Sequence, residues 1–328
     1  MGWNDIKIID CHSDMFADVT QRRMMGESHI IEGYHTEQLE QGHIQAMICC
    51  IWIDPPYTAA PTLRMMQIMG AVCRELRDAD GIAEIAYTAD DFEKIRQKHK
   101  LAILLGMEGL SGLQGQVDFL DVLYRFGIRH AMLTWNEENE FANGVGGSVA
   151  GQGLTPLGIR AVQRMEKLGM VVDVSHAAER TFWDIYDHTE KPFIASHSDV
   201  YALCPDVRNL KDEQIRAVAE RGGVIGMNAW PEFIAKEKPD AEKLADHVDY
   251  IVQMAGIDAV VCGFDFCDYL SPDSMTFSSE GVTSTAGIAN AKDAPNFLRI
   301  LQARGYCEED LEKIAYKNIL RVLANVIS

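Results

Sequence analysis

The stretch IKIIDCHSD, residues 6–14, runs from an apolar segment directly into Asp10, Cys11, His12 and Asp14. Side chains on a strand alternate, so His-x-Asp at a strand end can present both groups to one metal ion. The same spacing recurs at His197/Asp199 and His247/Asp249. Spacing alone therefore defines no site, and placement must decide. Placement depends on what this run shares with the runs that follow it.

Seven further short apolar runs recur along the chain, and each ends in polar residues. They are AMICCIW (46–52), LAILLG (101–106), AMLTW (131–135), MVVDVS (170–175), PFIAS (192–196), GVIGMN (223–228) and AVVCGFD (259–265). Runs that are apolar on both faces are what a parallel sheet covered on both sides requires. Amphipathic helical patterns fall between them, over 62–80, 117–127, 155–169, 211–223 and 240–256, with two more near 292–304 and 308–326. Several carry a start signal such as Thr155-Pro156 and a stop signal such as Gly169. Eight strands alternating with helices predict an α/β fold of the (β/α)8 TIM-barrel type, one barrel over 1–328 closed by C-terminal helices. A doubly wound open sheet is the rival, but no Gly-rich phosphate loop follows the first strand. The polar segment 266–291 reads as a long loop over the barrel mouth.

Composition narrows the function. The chain has 328 residues, 47% of them hydrophobic, enough for a large core, and a formal net charge of −19. Such a charge repels phosphate backbones and anionic bilayers, so neither nucleic acid nor membrane is an expected partner. No run of 18 apolar residues occurs, and the N-terminal MGWNDIKIID lacks the basic and apolar regions of a signal peptide. Residue 6 is Ile, which removes the myristoylation pattern. The eight cysteines form no Cys-x-x-Cys pair, and several lie in apolar runs. They read as buried thiols of a cytoplasmic protein.

Active sites of such barrels are built at the C-terminal ends of the strands. The runs deliver His12 and Asp14, Glu108, Trp135 and Asn136, His176, His197, Asn228 and Asp265 to that level. His29, His35 and His43 fall in a loop region, and His99, His130, His188 and His247 flank or lie on helices. These seven read as surface or capping residues. Asp199 could neighbour His197 but is less well placed. Imidazole and carboxylate without thiolate suit zinc, and also manganese, cobalt or iron. His12, Asp14, Glu108, His176 and His197 exceed the usual three ligands of one catalytic zinc. They fit two metals sharing a carboxylate, about 3.5–4 Å apart, which lower the pKa of a water between them to about 7.

In this order the residues resemble the membrane (renal) dipeptidase family, peptidase family M19, in a soluble bacterial-type member. DCHSD is similar to the family's opening motif, GMEG to its Glu-Gly motif, and DVSH and SHSDVYALCPDVRN to its two His motifs. GFDF and KNILRVL match its later regions. The resemblance implies a dipeptidase holding two Zn2+ per chain, one on His12 and Asp14, the other on His176 and His197, with Glu108 bridging. It implies that Arg208 binds the substrate carboxylate, a task that suits a planar guanidinium. It implies that Asp265 binds the free α-amino group and can pass a proton to the leaving amine, that a C-terminal D-residue is tolerated, and that the protein is a homodimer. The chain departs from mammalian members at Trp135, where they carry a His. An indole only donates, so Trp135 reads as a pocket wall, with Asn136 or the metals left to stabilise the oxyanion. The alternatives are another metal-dependent amidohydrolase on the same barrel (cyclic amide, lactone or deaminase-type) and a non-catalytic metal-binding scaffold. His-x-Asp in place of His-x-His, and no Lys at a strand end, argue against the first. An intact ligand set argues against the second.

Overall fold

A computed structural model describes residues 6–148, 151–276 and 284–327 of the protein. The N-terminal residues 1–5 and part of the expected mouth loop, 277–283, lie outside the described residues. The strands are β1 (Ile8–Ser13), β2 (Ile44–Trp52), β3 (Ala83–Ile85), β4 (Leu101–Glu108), β5 (Ile128–Met132), β6 (Val171–Asp173), β7 (Ile225–Met227) and β8 (Val260–Cys262). One parallel sheet runs β1-β2-β4-β5-β6, and β7 pairs in parallel with β8. The segment around 192–196 joins the two by single parallel bridges, Asp173 to Ile194 and Ala195 to Ile225. β8 packs against β1, which completes the ring. The eight apolar runs are thus the eight staves of the barrel. The short β3 was not among them. It pairs with Leu101–Ile103 at the start of β4, whereas β5 pairs with the later residues of that strand.

The barrel interior is layered as its alternation requires. Ile9, Ala46, Ile48, Ala102, Leu104, Val171, Ile194, Val224 and Val261 pack in one apolar cluster with Ile319, Val322 and Leu323 of the last helix. A larger apolar layer lies between the strands and the surrounding helices. Helix boundaries follow the local signals. Thr155 caps Pro156–Leu168 by accepting from the Gly158 N–H, and Gly169 ends that helix in the left-handed conformation. Asp240 caps Ala241–Ala255 in the same way. The expected single helix over 308–326 is instead interrupted by a π-helical turn at Lys313–Lys317.

Three readings of the sequence need correction. His130 does not flank a helix. It lies within β5, fully buried. His35 and His247 are buried rather than superficial, His35 bonded to Asp18 and His247 to the Ile234 carbonyl. Of the eight cysteines, all free, Cys73 and Cys307 are exposed, so only six are buried thiols. Among the described residues, no helix is long and apolar enough to cross a membrane.

Candidate metal centre and substrate cavity

Strand ends deliver the site. His12 lies in β1, Glu108 is the last residue of β4, and His176 and Asp265 each stand three residues beyond a strand. The pairing register places Trp52 beside Glu108 and Glu108 beside Met132, so these ends are level. His176 and Asp265 have φ of 65° and 56°. Left-handed backbone is uncommon for residues other than glycine and concentrates where function imposes it. Here it turns each side chain back over the barrel mouth.

Glu108 is the hub. Its Oε1 stands 2.8 Å from His176 Nε2 and 3.7 Å from His197 Nε2. Its Oε2 stands 3.7 Å from His12 Nε2. His12 Nε2 also faces Asp14 at 3.6 Å and Asp265 at 3.7 Å. The Nε2 atoms of His176 and His197 approach to 2.9 Å. All five expected ligands are therefore together, and Asp265 joins them, within ligand reach of His12 and Asp14. Ordinary hydrogen bonding does not account for this cluster. His12 Nε2, Asp14 Oδ1 and Glu108 Oε2 are buried, with no hydrogen-bond partner among the described residues. Such orphaned groups are costly unless a cation satisfies them.

The electrostatics divide the three imidazoles: burial opposes charge on His12, but Glu108, Cys50 and Asp14 hold it well above the usual range, in the position a cation would take. Burial, with His12 and Arg208 nearby, pushes the imidazoles of His176 and His197 well below the usual range, so both are neutral, as metal ligands must be. Burial and the Asp14 charge push Glu108 well above the usual carboxylate range. Burial also raises Asp265, to about 6, although His12 opposes it. Crowded carboxylates in a dry site repel one another, and a divalent cation removes that repulsion. The donor set, three imidazoles with carboxylates and no thiolate, fits zinc or a similar ion.

The cluster opens into a cavity of about 260 Å³ lined by Trp52, Trp135, Trp230, Phe233, Arg208 and Asp265, among others. Arg208 is buried to 6% exposure. One nitrogen donates to the His197 carbonyl at 3.2 Å, the guanidinium lies over Phe233, and Nε has no partner among the described residues. Asn136 Oδ1 accepts from His176 Nδ1–H, 2.7 Å away, and so orients a candidate ligand rather than lining the cavity alone. Trp135 packs against Trp52 and His176. Asn228 donates to Asp265 at 3.2 Å. Of the mouth loop, Cys267 and Leu270 reach the cavity, while Ser274 bonds to Asp54 and Tyr269 meets Ser13. The sequence reading missed Trp52, Trp230 and Phe233 as lining. Trp52 ends an apolar run like the other site residues, and that position was the available signal.

A barrel that gathers buried histidines and carboxylates at its strand ends defines the class of metal-dependent hydrolases built on this fold. The family follows from the comparisons. Residues 3–328 match the model of the membrane dipeptidases, peptidase family M19. An uncharacterized protein in the pqqA 5' region of Klebsiella pneumoniae is 34% identical over 75% of this chain and 90% of its own length. Dipeptidase tcpJ of Claviceps purpurea is 32% identical over 74% of this chain, which spans about half of that longer protein, 55%. A metallopeptidase from Rhodobacter sphaeroides, solved with a phosphinate mimic of the dipeptide L-Ala-D-Ala, superposes with a TM-score of 0.86. It is 22% identical, with 98% of this chain and 99% of that one covered. The protein belongs to peptidase family M19 and is a metallo-dipeptidase, a hydrolase acting on peptide bonds.

Proposed function

We propose that the protein hydrolyses free dipeptides, including those with a C-terminal D-residue, with two zinc ions held by His12, Asp14, Glu108, His176 and His197. The observation that carries this reading is the arrangement of Glu108. It faces His12 through one oxygen and His176 and His197 through the other, at the floor of the cavity that also contains Arg208 and Asp265. Divalent metal in this cluster would polarise a carbonyl and lower the pKa of a water to about 7.

The chain's own groups measure the substrate. Arg208, buried with an Nε that has no partner among the described residues, takes the substrate carboxylate. Asp265, held by Asn228, takes the free ammonium, and its carboxyl, raised to about 6 by burial, is suited to proton transfer near neutrality. Trp52, Trp135 and Trp230 wall the space between and exclude water, which favours apolar substrate side chains. The Rhodobacter neighbour's mimic of L-Ala-D-Ala supports tolerance of a D-residue in second position.

The test is a substrate series on protein with its metal content measured. About two zinc-like ions per chain are expected. L-Ala-L-Ala and L-Ala-D-Ala should be cleaved. Their N-acetyl forms leave Asp265 without its partner and should be slower by about a hundredfold, which is about 2.7 kcal/mol. N-acetyl dipeptides cleaved as fast as free ones would point to a general amidohydrolase.

A further inference from the structure

We propose that His130 is a positioning residue for the whole metal cluster, tying the His12 side to the His176 and His197 side through the barrel interior. This rests on the metal reading above. His130 Nε2 lies 2.7 Å from Asp173 Oδ2, both side chains fully buried. The other oxygen of Asp173 accepts the backbone N–H groups of Ser175 at 2.8 Å and Ser196 at 3.2 Å. Each of those serines immediately precedes a candidate ligand, His176 or His197. On its opposite edge, His130 Nδ1 faces Cys50 Sγ at 3.9 Å, and the same sulfur stands 3.7 Å from His12 Nδ1. A buried chain of contacts therefore runs from His12 on β1 through β2, β5 and β6 to the backbone that aims the other two imidazoles.

The barrel makes room for this chain. A Cβ on Gly106 of β4 would lie 2.6 Å from His130 Nδ1 and 2.9 Å from Cys50 Sγ. Side chains at Gly226 or Gly263 would overlap the Ser196 carbonyl. Glycine at these three staves leaves the space that a polar layer occupies where an apolar one would otherwise pack. Metal-bound histidines are oriented by whatever their second nitrogen bonds. For His176 that partner is Asn136 and for His197 it is Ser196 Oγ at 2.8 Å. For His12 it is the Cys50 sulfur, itself held by His130.

Zinc affinity of metal-stripped protein, read by competition with a chromophoric chelator well below the melting temperature, tests this. Thermal unfolding is followed on the same samples. His130→Leu should weaken both zinc equivalents by about 10–100-fold. His130→Gln, which keeps an N–H for Asp173, should recover part of that loss. Cys50→Val fills similar space without a sulfur acceptor and should weaken one equivalent only. If His130→Leu fails to fold, His130→Gln and Cys50→Val decide. Variants that melt earlier yet bind both equivalents at wild-type affinity would overturn the proposal, because the layer would then be structural only. Wild-type protein that takes up no zinc would instead overturn the metal reading itself.

Discussion

The tripeptide His-Ser-Asp stands twice at the mouth of the barrel, at 12–14 and 197–199. Both histidines enter the metal cluster, and their rings stack 3.8 Å apart. The two aspartates part company. Asp14 faces His12 at 3.6 Å and belongs to the cluster. Asp199 is outside the cluster: its Oδ1 accepts the Asn228 N–H at 3.1 Å, and its buried Oδ2 has no hydrogen-bond partner among the described residues. The backbone exit makes the difference. After Asp14 the chain enters the helix Met15–Met24, and the Asp14 carbonyl accepts the Ala17 N–H, so the carboxylate stays over the mouth. After Asp199 the chain pairs with the segment that carries Arg208. The Asp199 N–H donates to Asn209, and its carbonyl accepts from Leu210. The first carboxylate is a candidate ligand, and the second holds the Asn228 backbone, while the Asp199 main chain pairs with the segment that carries Arg208.

The largest expected effect separates the two copies directly. Asp14→Asn removes the charge of a candidate ligand and should lower kcat/KM for a free dipeptide about a thousandfold, which is about 4 kcal/mol. Asp199→Asn keeps an oxygen for the Asn228 N–H. Burial already pushes the Asp199 carboxyl well up, toward the neutral form that an amide imitates. Its loss should stay below about tenfold, which is about 1.4 kcal/mol and the upper range of an ordinary hydrogen bond. Steady-state kinetics on the two variants decides. Equal losses would make Asp199 a ligand and erase the distinction.

The sequence disclosed one of these copies more fully than the other. Strand ends were legible because apolar runs stop where the barrel mouth begins, and the structure brings His12, Asp14, Glu108, His176, His197 and Asp265 together there. What lay hidden depends on direction. Nothing in the letters says that Asp199 turns toward Asn228, since the partner is 29 residues away on another stave. His130 was hidden because the run IRHAM interrupts apolar β5 with two basic residues, and only the alternation of the strand assigns Arg129 outward and His130 inward. The composition of the segment 192–196 predicts a strand. The structure gives it only isolated bridges, because it is a narrow joint between the larger sheet and the β7–β8 pair.

A second, intermediate effect probes the floor that the two copies share. Burial opposes charge on His130, but its bond to Asp173 outweighs that and lifts its pKa from 6.5 to about 9. The folded protein then holds a proton that the unfolded chain releases above pH 6.5. This stabilisation is present in full below pH 6.5 and is lost as pH rises through about 9, an amount of up to about 3 kcal/mol. Urea unfolding of metal-stripped protein should show stability falling over that interval, and His130→Gln should flatten the slope. An unchanged slope in the variant would assign it to other groups and remove His130 from the charge balance beneath the two histidines.

The smallest effect lies in the serines at the centre of the two tripeptides. Ser13 Oγ accepts the Met15 N–H at 3.2 Å, at the start of the helix that fixes the exit of the first copy, and it meets Tyr269 at 3.2 Å. Orphan N–H groups at a helix start are worth about 1 kcal/mol when a side-chain oxygen satisfies them. Among the described residues Ser198 Oγ has only the Ser175 hydroxyl at 3.5 Å, the outer limit of a hydrogen bond, and its backbone N–H is already bonded to Gly226. Ser13→Ala should therefore cost about 1 kcal/mol of unfolding free energy, and Ser198→Ala less than about half of that. The first should also loosen the turn that carries Asp14, and so lower zinc affinity several-fold, whereas the second should leave it unchanged. Reversed magnitudes in denaturant unfolding and zinc competition would mean that the helix start does not direct Asp14. The contrast between the two tripeptides would then have to come from the Arg208 segment alone.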